Sequence, residues 1–257
     1  MATIAEAMRR LEEHAKREAD EALSRRAEAE EERQRTGEKR RGRPPTPVDE
    51  RPDDKAQRSF SDAELPIMRT HNKGWDDCGN AQASVDEACQ IILACDVPDE
   101  TNDKKQAAPM AQATLETLEQ AGIARPTDAR GEPQAVVATL DHGYDSEAAA
   151  QALEERGCDP SMAAGRVPHH GAPPEAPEAP RTAKERMAAQ VRSEPGRALY
   201  ARRKVIVEPV FGQSKEGRGF RRFSLRGLQK IRGEWCVVCL THNLLKIWRY
   251  GCVPMAA

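Results

Sequence analysis

The sequence predicts an α/β fold, and three patterns carry that expectation. A short β-branched apolar run, residues 135–140, is followed at once by an acidic residue and then by a helix with a capping serine. Two apolar segments around a tight turn, residues 83–86 and 91–94, read as a hairpin. The stretches between and after them repeat apolar residues at helical spacing.

From the amino end, residues 4–36 are rich in Ala, Glu, Arg and Lys, while Ile4, Met8, Leu11 and Leu23 are too sparse for a sustained heptad. That pattern predicts a long, mostly solvated helix. Residues 37–58 form a basic linker broken by Pro44, Pro45, Pro47 and Pro52. Within it, Arg41-Gly42-Arg43-Pro44 resembles an AT-hook, slim enough for a narrow A·T minor groove; an inert basic linker is the competing reading. After the hairpin, residues 106–122 place Met110, Leu115, Leu118 and Ala121 on a helical face and stop at Gly122. The run 135–140 reads as a buried strand with Asp141 at its carboxyl end, the edge where α/β proteins place ligands. Ser146 then caps a helix to about Arg156, acidic at Glu147 in its first turn. Residues 160–180 are a proline-rich insertion assigned no regular structure. Residues 183–192 and 197–207 read as helices, and residues 225–248 close the fold with an apolar stripe through Leu228, Ile231, Trp235, Val238, Leu245 and Trp248.

Composition limits the classes of function. Of 257 residues 32% are charged and only 4% aromatic, so core material is confined to the segments above. The net charge of −2 conceals an asymmetry: residues 181–232 hold fifteen Lys and Arg against four Glu. Such a surplus points to a polyanion, or to a solvated helical face. Seven cysteines, an odd number without dense spacing, fit reduced thiols rather than a disulfide framework. The start carries no apolar run of the secretory kind, and no segment approaches the ~20 apolar residues needed to cross a bilayer, so a soluble, cytoplasmic protein is expected. Cys236, Cys239 and His242 are ligand types at close spacing, but they sit in the apolar stripe, where buried thiols are the expected role. His169 and His170 lie in the proline-rich insertion and are expected to face solvent. A phosphate-cradling glycine loop and a Gly-x-Ser-x-Gly nucleophile motif are both lacking.

Asp141 at a strand end and Glu208 on a basic helix remain as candidate chemistry. Carboxylates on neighbouring elements can hold two divalent ions about 4 Å apart, one activating water or a 3′-hydroxyl and one stabilising the leaving oxygen. Hard oxygen donors favour Mg²⁺ or Mn²⁺. Arg218, Arg221, Arg222, Arg226, Lys230 and Arg232, interleaved with Phe220 and Phe223, could track phosphates, or could pack against another protein surface.

These motifs, in this order, resemble the DDE domain of cut-and-paste insertion-sequence transposases over residues 58–249. Ser61-Asp62 through Ile67-Met68 is similar to that family's opening segment, and Asn80 to Asp86 to its strand-forming Asn-x-Gln motif. Asp141-x-Gly143-Tyr144 resembles the second catalytic aspartate, and Val207 to Gly212 the glutamate motif. The glutamate usually belongs to a Tyr, Arg, Glu, Lys signature, here Tyr200, Arg203, Glu208 and Lys215, with one residue more than the commonest spacing between Arg203 and Glu208. At 100° per residue Lys204 shares the face of Tyr200 and Glu208 while Arg203 lies off it, so Lys204 is the alternative holder of the arginine's place. Pro209 should kink the helix just past the glutamate.

The resemblance implies a ribonuclease-H-like core that is incomplete, preceded by a long amino-terminal helix. In domain terms this is a charged helix at 1–36, a basic linker at 37–58 and a partial DDE domain at 59–251. It implies metal-dependent cleavage and transfer of DNA strands, with Asp141 and Glu208 as catalytic metal ligands and Mg²⁺ or Mn²⁺ as cofactor. Tyr200, Arg203, Lys204, Lys215, Arg218, Arg221, Arg222 and Arg226 would meet double-stranded DNA at the terminal inverted repeats, in a complex that could hold a homodimer. The family's first aspartate, in an Asp-Gly-Thr or Asp-Gly-Ser motif, has no counterpart here. Asp86 is the substitute candidate, against the reading of a plain turn aspartate, and the expectation is a truncated, inactive copy. A non-catalytic DNA-binding remnant is the alternative, and a coiled-coil adaptor built on residues 4–36 a third.

Overall fold

A computed structural model describes residues 4–37, 44–70, 73–163 and 182–250. The AT-hook-like arginines, the His169-His170 pair and most of the proline-rich stretch lie outside the described residues. The chain divides into two compact units, Met1–Cys78 and Gly79–Ala257.

The first unit opens with α1, Ile4–Thr36. Charged pairs one turn apart line it, including Arg9–Glu6 at 2.5 Å and Arg33–Glu30 at 2.6 Å, the pattern that supports a helix with few apolar residues. Arg10 ties α1 to Glu64 at 2.9 Å, just ahead of a two-stranded ribbon. In that ribbon β1, Ile67–Arg69, pairs antiparallel with β2, Trp75–Asp77. Ser59 donates its hydroxyl to Asp77 at 2.8 Å.

The second unit mixes helices and strands as expected. The hairpin is present: β3, Gln82–Val85, lies antiparallel to β4, Ile92–Asp96, with a register shift between Ser84 and Val85. Next comes α2, Ala107–Gln120, ending beside Gly122, whose φ of +70° suits glycine. A parallel crossover unit follows, made of β5, Val136–Leu140, α3, Glu147–Glu155, and β6, Cys158–Met162. Ser146 caps α3 by accepting from the Ala149 amide at 3.1 Å. Strand β6 is a departure from the sequence reading, which assigned residues 160–162 to the insertion. Pro160 stands opposite Ala138, and β6 can carry a proline because it pairs on one side only, with β5.

Three helices complete the unit: α4, Ala183–Arg192, α5, Glu194–Gly212, and α6, Leu228–Tyr250. Thr182 and Glu185 form a reciprocal capping box on α4. Ser193 caps α5 with Pro195 in its first turn, so α5 starts three residues earlier than the sequence suggests. A wide turn of π type, Gln213–Gly217, follows α5 directly.

One apolar core gathers Leu153, Cys158, Met162 and Met187 with alanines of α2, α3 and α4. A second is aromatic. Phe211 and Phe220 stack on Trp235 with ring centroids 5.9 and 6.2 Å away, and Phe223 meets Phe220 edge-on at 5.5 Å. Phe220 and Phe223 are thus tied into this cluster while remaining half-buried. Along α6, Val237, Leu240, Leu244 and Ile247 are exposed.

Candidate functional site

Asp141 follows the last residue of β5 and caps the short turn His142–Tyr144, where its Oδ1 accepts the His142 amide at 2.7 Å. Glu208 comes from the penultimate turn of α5. Between them lies the guanidinium of Arg203, whose Nη2 is 3.7 Å from Asp141 Oδ1 and 3.8 Å from Glu208 Oε1. Both carboxylates are more than half exposed, whereas Arg203 is 15% exposed and also sits over the Tyr200 ring at 5.6 Å. Its Nε is buried and has no hydrogen-bond partner among the described residues. Arg203 therefore occupies the place that the helical wheel gave to Lys204, which is exposed. A guanidinium on a long stem reaches further than its angle about the axis records.

Pro209 does not end the helix, since α5 continues to Gly212. Proline cannot donate to the carbonyl four residues back, and that carbonyl, of Val205, instead accepts from the Gln90 side-chain amide at 2.8 Å. Gln90 has φ of +58° in the hairpin turn, and its own carbonyl lies 2.9 Å from His242 Nε2. Its Oε1 accepts from Lys246 at 2.6 Å. Burial pushes the pKa of His242 down, and that of Lys246 as well.

Asp86 is committed to the same turn, with its carboxylate accepting from the Cys89 amide at 2.9 Å and from the Ile91 amide. The Asn-x-Gln motif serves a different aspartate, one that motif reading passed over. Asp103 Oδ1 accepts from Asn80 at 2.8 Å and from Gln82 at 2.9 Å. Gln82 Oε1 in turn accepts from the Tyr144 hydroxyl, and the Gln82 carbonyl accepts from Trp235 at 2.8 Å. A Cβ on Gly143 would stand 2.6 Å from Asp103 Oδ2. Gly143 and Tyr144 of the aspartate motif thus dock Asp141's turn against the Asn80–Gln82–Asp103 network. Burial first, then Asp103 and Asp141, hold the Tyr144 phenol protonated well above its usual range.

The remaining basic candidates divide. Lys215 lies over the Phe211 ring at 5.6 Å. Arg218 donates to Thr241 Oγ1 at 2.8 Å and to carbonyls of α6, and Arg221 pairs with Glu216. Arg222, Arg226 and Lys230 are exposed. Cys236 stands 3.7 Å from Cys95 on β4, so the Cys-x-x-Cys pair meets another thiol rather than a metal set.

Donor chemistry at the acidic pair suits a hard divalent ion, since Mg²⁺ is commonly held by one or two carboxylates with waters and substrate phosphates. A pair of ions is a poorer fit. Among the described residues no group of three His, Cys, Asp or Glu is gathered for a metal.

Fold and site together define a mixed α/β protein with two carboxylates, from a strand end and a helix, drawn to one arginine. Residues 174–248 match the family model of the transposase DDE domain, which supports a transposase of the DDE type. Glu208, Arg203 and the basic helices fall inside that match. Neither a curated protein nor a solved structure matches the chain. No described helix is long and apolar enough to cross a membrane.

Proposed function

We propose that the chain acts on DNA in transposition, through a ribonuclease-H-like core that lacks its first strand and with it one catalytic carboxylate. The approach of Asp141 and Glu208 to one guanidinium, that of Arg203, carries this reading, because two acidic residues far apart in sequence are brought to a shared partner. DDE transposases generally use divalent metal ions; Asp141 and Glu208 would hold one, and the ion would activate water or a 3′-hydroxyl when bound. The basic segment 200–232 would meet the phosphates, with Tyr200, Lys204, Lys215, Arg222 and Arg226 among its exposed or half-exposed members.

With two carboxylates in place of three, the proposed activity of the isolated chain is binding without cutting. Fluorescence anisotropy with a linear duplex should give an affinity that falls steeply with salt, by about 0.9 in log–log slope for each phosphate contact. A cleavage assay with Mg²⁺ or Mn²⁺ on the same duplex and on insertion-sequence ends should leave the strands intact. Salt-independent binding would remove the DNA reading, and robust cutting would remove the incomplete site.

A further inference from the structure

Strands β3 and β5 each have one hydrogen-bonded neighbour, β4 and β6 respectively, and among the described residues no strand pairs with either second edge. A slot of about 720 Å³ lies between them. Residues 80–87 border it in unbroken succession, as do residues 136–141, while β4 gives one residue and β6 one. Side chains of a strand alternate between faces, so a cavity touched by every consecutive residue faces a strand edge and not a sheet face. Two strand edges therefore look at each other across the slot.

Helices close the other two sides. From α2 come Met110, Ala111 and Leu115, and from α5 Ile206, Val207 and Phe211. The charged residues along the walls are mostly acidic, with Asp86, Glu87, Asp103, Asp141 and Glu208 against Arg202 and Arg203, and each has a partner: Arg202 pairs with Glu87, Arg203 with Asp141 and Glu208, Asp86 accepts from its own turn amides and Asp103 from Asn80 and Gln82. An occupant is thus offered apolar side walls, a net negative lining that suits basic residues flanking an apolar run, and backbone donors and acceptors at both edges. Val137 on β5 is 49% exposed for want of it.

We infer that this slot is a receptor for one extended β-strand from a separate polypeptide, which would pair with β3 on one side and β5 on the other. Helices would cover both its faces, so the complementary segment is a continuous apolar, β-branched run of five or six residues, not an alternating one. Addition of such a strand joins the two-stranded sheets into one. The inference rests on the incomplete-core reading, but its test uses neither DNA nor metal, so a failure here leaves the binding result standing and the reverse also holds.

The probe is a synthetic peptide of six Val and Ile residues flanked by lysines, added to the full chain and followed by amide hydrogen exchange. Exchange should slow at least ten-fold in both β3 and β5 together. A peptide with the same side chains but N-methylated at every amide should give no protection, since successive amides of a strand serve opposite edges. Protection of neither strand, equal protection by the methylated peptide, or protection that grows with protein concentration without any peptide would each overturn the inference. The last of these would assign the slot to a second copy of the chain.

Discussion

Pro209 and Gln90 show how one residue's deficit fixes another's role. Loss of the Gln90 side chain leaves the Val205 carbonyl, on an exposed part of α5 one turn from Glu208, with water in place of its protein donor. Gln90→Ala should cost about 1 kcal/mol in urea unfolding, the worth of an ordinary hydrogen bond, and Pro209→Ala in that background should restore most of it by returning the helical donor. At Cys95 the hydrogen bond from Cys239, then that from Cys236, outweigh burial and draw the thiol down to about 7 from an ordinary 9.0. The anion is favoured in the folded state, so its contribution to stability is complete above pH 9, and fades as pH falls through about 7. Alkylation of Cys95 by iodoacetamide should accordingly reach half its maximal rate near pH 7, and in the Cys239→Ala variant only at a higher pH. For Arg203 the sign is set by charge. Arg203→Ala removes the cation between two carboxylates and should tighten Mn²⁺ binding several-fold, as read by electron paramagnetic resonance.

At the scale of elements, periodicity made the hairpin, the β5–α3 unit and α2 legible, because each is built from contacts close in sequence. Strand β2 was invisible: Trp75-Asp76-Asp77 has no apolar alternation, and its pairing partner rather than its composition makes it a strand. Strand β6 was hidden by Asp159 and Pro160, residues that a strand tolerates only where one side needs no partner. The positions of Asp141 at a strand end and of Glu208 on a helix were legible in the sequence, but the network around Asp103 was not, since a polar residue in a turn gives no signal until Asn80, Gln82 and Gly143 are seen around it. That network makes Gly143 a matter of space rather than of backbone angle. Gly143→Ala should destabilise by about 1–3 kcal/mol in thermal or urea unfolding. Adding Asp103→Ala should cancel the steric part, so that the double variant is less unstable than the two single losses summed.

For the whole molecule, the slot between β3 and β5 separates two sheets of the second unit that no ladder of hydrogen bonds connects among the described residues. Hydrogen exchange on the chain alone should therefore give two distinct opening free energies, one for the β3–β4 amides and another for β5–β6, rather than one global value. The hairpin closes over a short turn, and the β5–α3–β6 crossover is similarly local. Neither has to wait for a distant segment to find it. In kinetic terms each of these pieces pays little loop entropy before its first native contacts form, whereas seating α6 on the hairpin, through Trp235 to Gln82 and Asn243 to Ile92, must close a loop of most of the unit and is the slow step of refolding.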